Sequence, residues 1–201
     1  MNVSREVLIT GFGAFPGVEC NPTEELIRSI QSKDSHNGTR HQVLPVSFTT
    51  VFEHLNKSVK AYAPTKILHL GVASEATEVR IETQAVNHMV SRVPDIDGRQ
   101  PRNARIDRSH PQEHCLAGSP KADSIITSIE SMGYPVRRSA DAGRYVCNAL
   151  FYSSLASFGS SKEVTFIHLP PLGSTHTNTN SSFEWTLVHL VMVLEQTLKV
   201  L

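Results

Sequence analysis

Short apolar runs alternate with longer segments whose apolar residues recur every three or four positions, and this rhythm persists along the chain. Val7-Leu8-Ile9-Thr10 is a β-branched run closed by Gly11 and reads as a buried strand. A loop rich in Gly, Phe and Pro follows over residues 12–20. Asn21 then suits a helix N-cap, Pro22 the first helical position and Glu24 the far end of a capping box, with Leu26, Ile27 and Ile30 on one apolar face. The same order repeats. Residues 42–46 read as a strand, and 48–62 as an amphipathic helix with Val51, Phe52, Leu55 and Val59 inward, stopped by Pro64. Residues 66–71 read as a buried strand, with 79–82 and 85–90 as further short strands. Residues 94–117 are polar and rich in Arg, Asp, His and Pro, a surface excursion of the length common in lids and binding loops. Beyond it the pattern predicts a helix over 122–132, a short strand around Val136, a helix over 144–158, a buried strand over 164–169, a turn over 170–173 and a long helix over 183–200. Leu187, Leu190, Val191, Leu194 and Leu198 form the inner face of that last helix.

Strands alternating with helices predict an α/β fold, with a mainly parallel, twisted sheet covered on both sides and ligands beyond the carboxyl ends of its strands. No repeat, low-complexity tract or linker interrupts the 201 residues, so a single domain over 1–201 is expected. The 19 basic and 19 acidic residues cancel, and no basic stripe offers itself to nucleic acid. No apolar run approaches bilayer length and no signal peptide is visible, so no membrane association and a cytoplasmic location are expected. Cys20, Cys115 and Cys147 lie far apart, form no CxxC pair and cannot all pair with one another, which suits a reducing compartment.

Three residues offer chemistry. Small and turn-forming residues lead from Ser139 into a helix whose first turn carries Cys147. A thiol there lies near the positive end of the helix dipole, beside N–H groups with no helical partner, so thiolate and oxyanion are both favoured. His168 ends an apolar strand, where its imidazole is available as a base. Glu82 can orient an imidazole and stabilise its cation. Taken singly each has a plainer reading: a buried structural cysteine, a hydrogen-bonded core histidine, and a solvated glutamate or partner of Arg80 or Arg92. The loop over residues 11–17 follows a strand and precedes a helix, but it lacks the Lys-Ser/Thr ending of a P-loop and the GxGxxG spacing; its two phenylalanines suit an apolar pocket better. Neither an HExxH pair nor a zinc-binding cysteine pattern is present, so no metal is expected.

The set of segments is more specific than its members. Thr10-Gly11-Phe12-Gly13-Ala14-Phe15 with Asn21-Pro22 resembles the N-terminal signature of the pyroglutamyl peptidase I family of cysteine peptidases. His69-Leu70-Gly71-Val72-Ala73 and Arg80-Ile81-Glu82 resemble that family's glutamate segment. Ala85-Val86-Asn87 and the stretch from Arg92 to Pro101 resemble the segment after it. The run from Asp141 to Asn148, with Tyr152, is similar to its cysteine motif, and the run from Phe166 to Gly173 to its histidine motif. The matches come in family order and cover nearly the whole chain. The resemblance implies one three-layer α/β/α domain and a cofactor-free peptidase that cleaves after an N-terminal 5-oxoprolyl residue. It implies Cys147 as nucleophile, His168 as general acid/base and Glu82 as orienting acid. It also implies Phe12, Phe15, Tyr145 and Val146 around the lactam ring and Arg92 in support, near the oxyanion. The partners it implies are small peptides bearing N-terminal pyroglutamate; microbial relatives tend to self-associate and animal ones to be monomeric, which leaves a homo-oligomer open. Three positions depart from the family pattern: Val72 stands where many microbial members carry glutamine, Pro16 replaces a glycine, and Thr83 follows the glutamate where arginine is common. Two other readings compete, a phosphorylase on a related scaffold and a non-catalytic relative that binds capped peptide N-termini or a protein partner. No phosphate or ribose site supports the first, and occupancy of all three catalytic positions weighs against the second.

Overall fold

In the computed structural model, which describes residues 7–31, 38–177 and 182–201, the elements follow one another as β1 (Val7–Phe12), α1 (Pro22–Gln31), β2 (Thr39–Leu44), α2 (Val51–Tyr62), β3 (Lys66–Val72), β4 (Val79–Glu82), β5 (Gln84–Val86), β6 (Cys115–Ala117), α3 (Ala122–Glu130), β7 (Val136–Ser139), α4 (Val146–Phe158), β8 (Glu163–Leu169), β9 (Thr175–Thr177), β10 (Ser182–Glu184) and α5 (Leu187–Val200). The central sheet has the order β2-β1-β3-β8-β4-β7. The first four strands of that order are parallel, β4 runs antiparallel to β8, and β7 is parallel to β4. Residues 73–78, which join β3 to β4, are too few for a crossover helix, so the chain comes back down beside β8. Side chains alternate across the sheet. Ile9, Leu68, Leu70, Ile81, Ile167 and Leu169 pack under α1, α3 and α5, while Leu8, Ile67, Val164 and Phe166 pack under α2 and α4. The result is the expected mainly parallel, three-layer α/β/α arrangement.

Local chemistry moves several boundaries. Asn21 caps α1 as expected, its Oδ1 accepting the Thr23 N–H at 3.1 Å, but Glu24 pairs with Arg28 at 2.6 Å instead of closing a capping box. Asn21 Nδ2 also donates to the Gly13 carbonyl at 3.0 Å, and Thr23 Oγ1 accepts the Phe12 N–H at 2.8 Å. The start of α1 is thereby lashed to the end of β1. The approach is so close that a Cβ on Gly11 would lie 2.7 Å from the Thr23 carbonyl oxygen. Helix α2 starts at Val51 and not at 48, because the Ser47 hydroxyl accepts the Thr49 and Thr50 N–H groups and holds a turn there. Helix α4 starts at Val146 and not at 144, because Gly143 has φ +77° and Tyr145 is extended. Helix α5 starts at Leu187, since Phe183 belongs to a β9–β10 hairpin that periodicity did not reveal.

The expected excursion is a fastened layer rather than a free loop. Its far end is β6, antiparallel to β5, and Ala104, Ile106 and Leu116 pack on the α2/α4 core. Two buried polar residues hold it. Asn87 Nδ2 donates to the carbonyls of Asp107, His110 and Pro111 at 2.7–3.1 Å, and its Oδ1 accepts the Asp107 N–H. Asp95 accepts the N–H groups of Phe48, Asp97 and Arg99 at 2.8–3.0 Å. Replacing Asn87 by Ala removes both Asp107 backbone bonds, while the His110 and Pro111 carbonyls keep donors from Arg105 and His114, and we expect a loss of about 1–3 kcal/mol. A urea titration checks this; an unchanged midpoint would mean that the layer is held by its apolar contacts alone.

Candidate active site

The sharp turn at Gly143 and the extended Tyr145 aim the first turn of α4 at the carboxyl ends of β1, β3 and β8. The first intrahelical bond runs from the Ala149 N–H to the Tyr145 carbonyl at 3.2 Å, so the N–H groups of Val146, Cys147 and Asn148 precede it. Cys147 is half-buried there. The next residue, Asn148, is fully buried and binds β5 through both ends of its amide: Oδ1 accepts the Val86 N–H at 3.0 Å, and Nδ2 donates to the Val86 and His88 carbonyls at 2.9 and 3.0 Å. The position of the thiol therefore follows from the position of β5 and the residues just after it. The same bonds end β5 at Val86, short of the expected strand to residue 90.

His168 and Glu82 share the sheet face beneath α2 and α4. Arg80 lies opposite His168 in register and Glu82 opposite Phe166, so Glu82 meets His168 as a diagonal neighbour. His168 Nδ1–H donates to Glu82 Oε1 at 2.8 Å, with Glu82 only 1% and His168 6% exposed. Burial pushes this imidazole toward neutrality. Hydrogen bonding with Cys147 and Glu82, and the negative charge of both, outweigh it and raise the His168 pKa to about 9. The ring also rests on Phe166 at 4.8 Å between centroids. Gly71 makes room for it: a Cβ there would lie 2.9 Å from His168 Cδ2 and 3.0 Å from the Phe166 ring. Below Phe166, His69 is wholly buried between the hydroxyls of Thr10 (2.7 Å) and Ser154 (3.1 Å), and burial lowers its pKa to about 3.

A cavity of about 410 Å³ opens over Cys147 and His168. Phe12, Phe15, Val46, Val72, Val93 and Tyr145 give it an apolar wall. The Tyr145 ring stands 6.1 Å from Phe15 and edge-on to Phe48 at 5.3 Å, and its hydroxyl donates to the Pro94 carbonyl at 3.1 Å. Burial, with the charges of Asp95 and Cys147, raises the phenol pKa to about 12, so it stays neutral.

Of the residues named from sequence, Phe12, Phe15, Val72, Tyr145, Cys147 and His168 wall this cavity, and Glu82 stands behind His168. The Val146 side chain points instead into the α2/α4 core, leaving only its backbone in the helix's first turn. Arg92 is exposed and its neighbour Val93 forms the wall. Thr83, one of the departures, bonds the Ser139 carbonyl through both its N–H and its hydroxyl. Arg80 was read only as a partner of Glu82, yet it lines the cavity; the alternation Arg80-Ile81-Glu82, which puts Arg80 and Glu82 on one strand face, was the signal for it. Among the described residues, no group of three or more His, Cys, Asp or Glu side chains is arranged to hold a metal ion.

The pyroglutamyl peptidase family model matches residues 5–195. The pyrrolidone-carboxylate peptidase of Thermococcus litoralis is 31% identical over 170 residues, 83% of this chain and 76% of that protein. Its counterpart in Bacillus cytotoxicus is 30% identical over 200 residues, 94% of this chain and 91% of that one. Among solved structures, the pyrrolidone carboxyl peptidase of Thermus thermophilus aligns with a TM-score of 0.84 at 29% identity, covering 97% of this chain and all of that one. Pyroglutamyl peptidase I of Bacillus amyloliquefaciens aligns with the same score at 26% identity, covering 96% and 94%.

Gly71→Ala tests the packing of the site. The added methyl displaces the His168 ring from Glu82, and we expect the imidazole titration followed by NMR to move down from about 9. A variant with the wild-type titration would show that the sheet yields without disturbing the pair.

Proposed function

The chain belongs to the pyroglutamyl peptidase family, and on that premise we propose that Cys147, His168 and Glu82 are the catalytic set with which it hydrolyses the bond after an N-terminal pyroglutamyl residue of a peptide. The observation that carries the assignment is the buried His168, hydrogen-bonded to Glu82 and facing the same cavity as Cys147. The chain is a cysteine peptidase, and the roles follow from the chemistry each position permits. Glu82 fixes the Nδ1–H tautomer and balances the imidazolium. The imidazolium in turn stabilises negative charge on the Cys147 sulfur, which attacks the pyroglutamyl carbonyl carbon. Charge moves to the carbonyl oxygen, where the free N–H groups at the start of α4 donate to it. His168 then gives its proton to the leaving amine as the C–N bond breaks, leaving a thioester. It takes a proton from water as water attacks the thioester, and pyroglutamate leaves with the thiolate restored.

The cavity suits the ligand. A pyroglutamyl residue has no α-ammonium, so no carboxylate is needed to grip it. The flat lactam fits between Phe12, Phe15 and Tyr145, and Val72 adds apolar surface. We read residues 1–201 as one catalytic unit that works where thiols stay reduced, as in the cytoplasm; Cys20, Cys115 and Cys147 are all free. Among the described residues no helix is long and apolar enough to cross a membrane.

Cys147→Ser should retain the wild-type circular dichroism and lose about 10³-fold or more in release of a fluorescent amine from a pyroglutamyl conjugate, and iodoacetamide should silence the wild type. Appreciable turnover by a folded Ser variant would sink the nucleophile assignment. Turnover needs the imidazolium, so kcat/KM should fall as pH rises through about 9. In Glu82→Gln one of the causes that raise the His168 pKa is gone, and the alkaline limb of the pH profile should move to lower pH. An unmoved limb would assign it to another group.

A further inference from the structure

The strands that carry the cavity lie in a fixed lateral order, β1, β3, β8, β4. Phe12 ends β1, Val72 ends β3, His168 is on β8 and Arg80 on β4. The ring-binding wall is therefore at the β1 side, and the reacting groups are in the middle. A peptide with its lactam against Phe12 and its scissile carbonyl at Cys147 runs on past His168 toward β4. Arg80 stands there, directly opposite His168 in register, on the face that carries Glu82, and it lines the cavity.

Most of the charges around Arg80 are matched among themselves, though the second oxygen of Glu82, Oε2, is buried without a hydrogen-bond partner among the described residues and does not bond Arg80. Glu82 is taken by His168 at 2.8 Å, Asp141 by Arg144 at 2.6 Å, and Glu78 by Arg137, the register neighbour of Arg80 on β7, at 2.6 Å. Arg80 makes no ion pair among the described residues, and its Nε is buried with no acceptor. A buried donor without a partner costs stability and gives the fold nothing in return. A guanidinium is a fork matched to a carboxylate.

We propose that Arg80 is a specificity-determining residue that binds a carboxylate on the residue immediately after the pyroglutamyl group. That carboxylate is either the α-carboxylate of a pyroglutamyl dipeptide or an acidic side chain in a longer peptide. The assignment rests on the reading of Cys147 and His168 as the reacting centre.

Two matched pairs of substrates separate the sources: pyroglutamyl-alanine against pyroglutamyl-alaninamide for the α-carboxylate, and pyroglutamyl-glutamyl-amide against pyroglutamyl-glutaminyl-amide for the side chain. In the wild type, kcat/KM should favour the carboxylate member of at least one pair by about tenfold or more, chiefly through KM. In Arg80→Met that ratio should fall to about one, and Arg80→Lys should keep part of it. Ratios near one for both pairs in the wild type overturn the proposal, whatever the variants do. A ratio that survives in Arg80→Met overturns it too. So does an equal loss on all four substrates together with a shifted pH profile, which would assign Arg80 to the His168–Glu82 pair instead. If folded, reduced wild-type protein cleaves none of the four, the peptidase reading falls and this proposal with it; cleavage without discrimination removes only the proposal.

Discussion

An imidazolium and a carboxylate lie side by side inside this protein, His168 on Glu82 at 2.8 Å, both nearly sealed from water. Removing two such charges from water carries a penalty of several kcal/mol per ion even after relaxation, and only close geometry with further contacts offsets it. The sheet supplies that geometry by changing direction between β8 and β4. Because β4 descends beside β8, Arg80 near its start faces His168 near the end of β8, and Glu82 at its own end, opposite Phe166, meets the imidazole on the diagonal. A parallel β4 would point its carboxyl end the same way as β8 and carry Glu82 toward a different neighbour. The glycine at position 71 and the ring of Phe166 then fix where the imidazole rests.

Buried amides and one buried carboxylate do the remaining positioning. Asn21 with Thr23 ties the loop bearing Phe15 to the end of β1, Asn148 ties the thiol-bearing helix to β5, and Asn87 and Asp95 tie down the long segment that reaches Tyr145 through Pro94. Each of these side chains bonds main chain, and only Thr23 and Asn21 also bond each other, the Thr23 hydroxyl donating to Asn21 Oδ1 at 2.9 Å. Backbone is thus held at places where no regular element could hold it, and the aromatic wall of the cavity gains rigidity from these bonds.

The sequence disclosed the alternation of strands and helices because periodicity of two and of nearly four survives in local windows, and the residues around Cys147, His168 and Glu82 were legible as segments. Strand order and the reversal of β4 were not, since they are set by tertiary pairing; only the shortness of 73–78 hinted at the reversal. Arg92 and Val146 were named by their place in a motif, and position along a motif does not say where a side chain points: the one is exposed and the other turns its side chain into the core. Residues 94–117 read as solvent-facing because they are polar, yet much of that polarity meets buried partners, which composition does not reveal. Arg80 was hidden for a related reason, since a charged residue two positions from a glutamate suggests a local partner, whereas strand geometry gives it a wall of its own.

His69 and His168 sit on the same sheet face with opposite proton preferences, and folding feels both. An unfolded chain binds a proton at each with the ordinary histidine pKa of 6.5. Below that value the unfolded chain takes up a proton at His69 that the folded protein refuses until about pH 3, so acidification progressively favours unfolding. Above it the unfolded chain releases the His168 proton that the folded protein keeps until about pH 9, so stability falls again across that interval. Between them these two rings confine the greatest stability to the neighbourhood of the free imidazole's own pKa, and make proton uptake on unfolding change sign there.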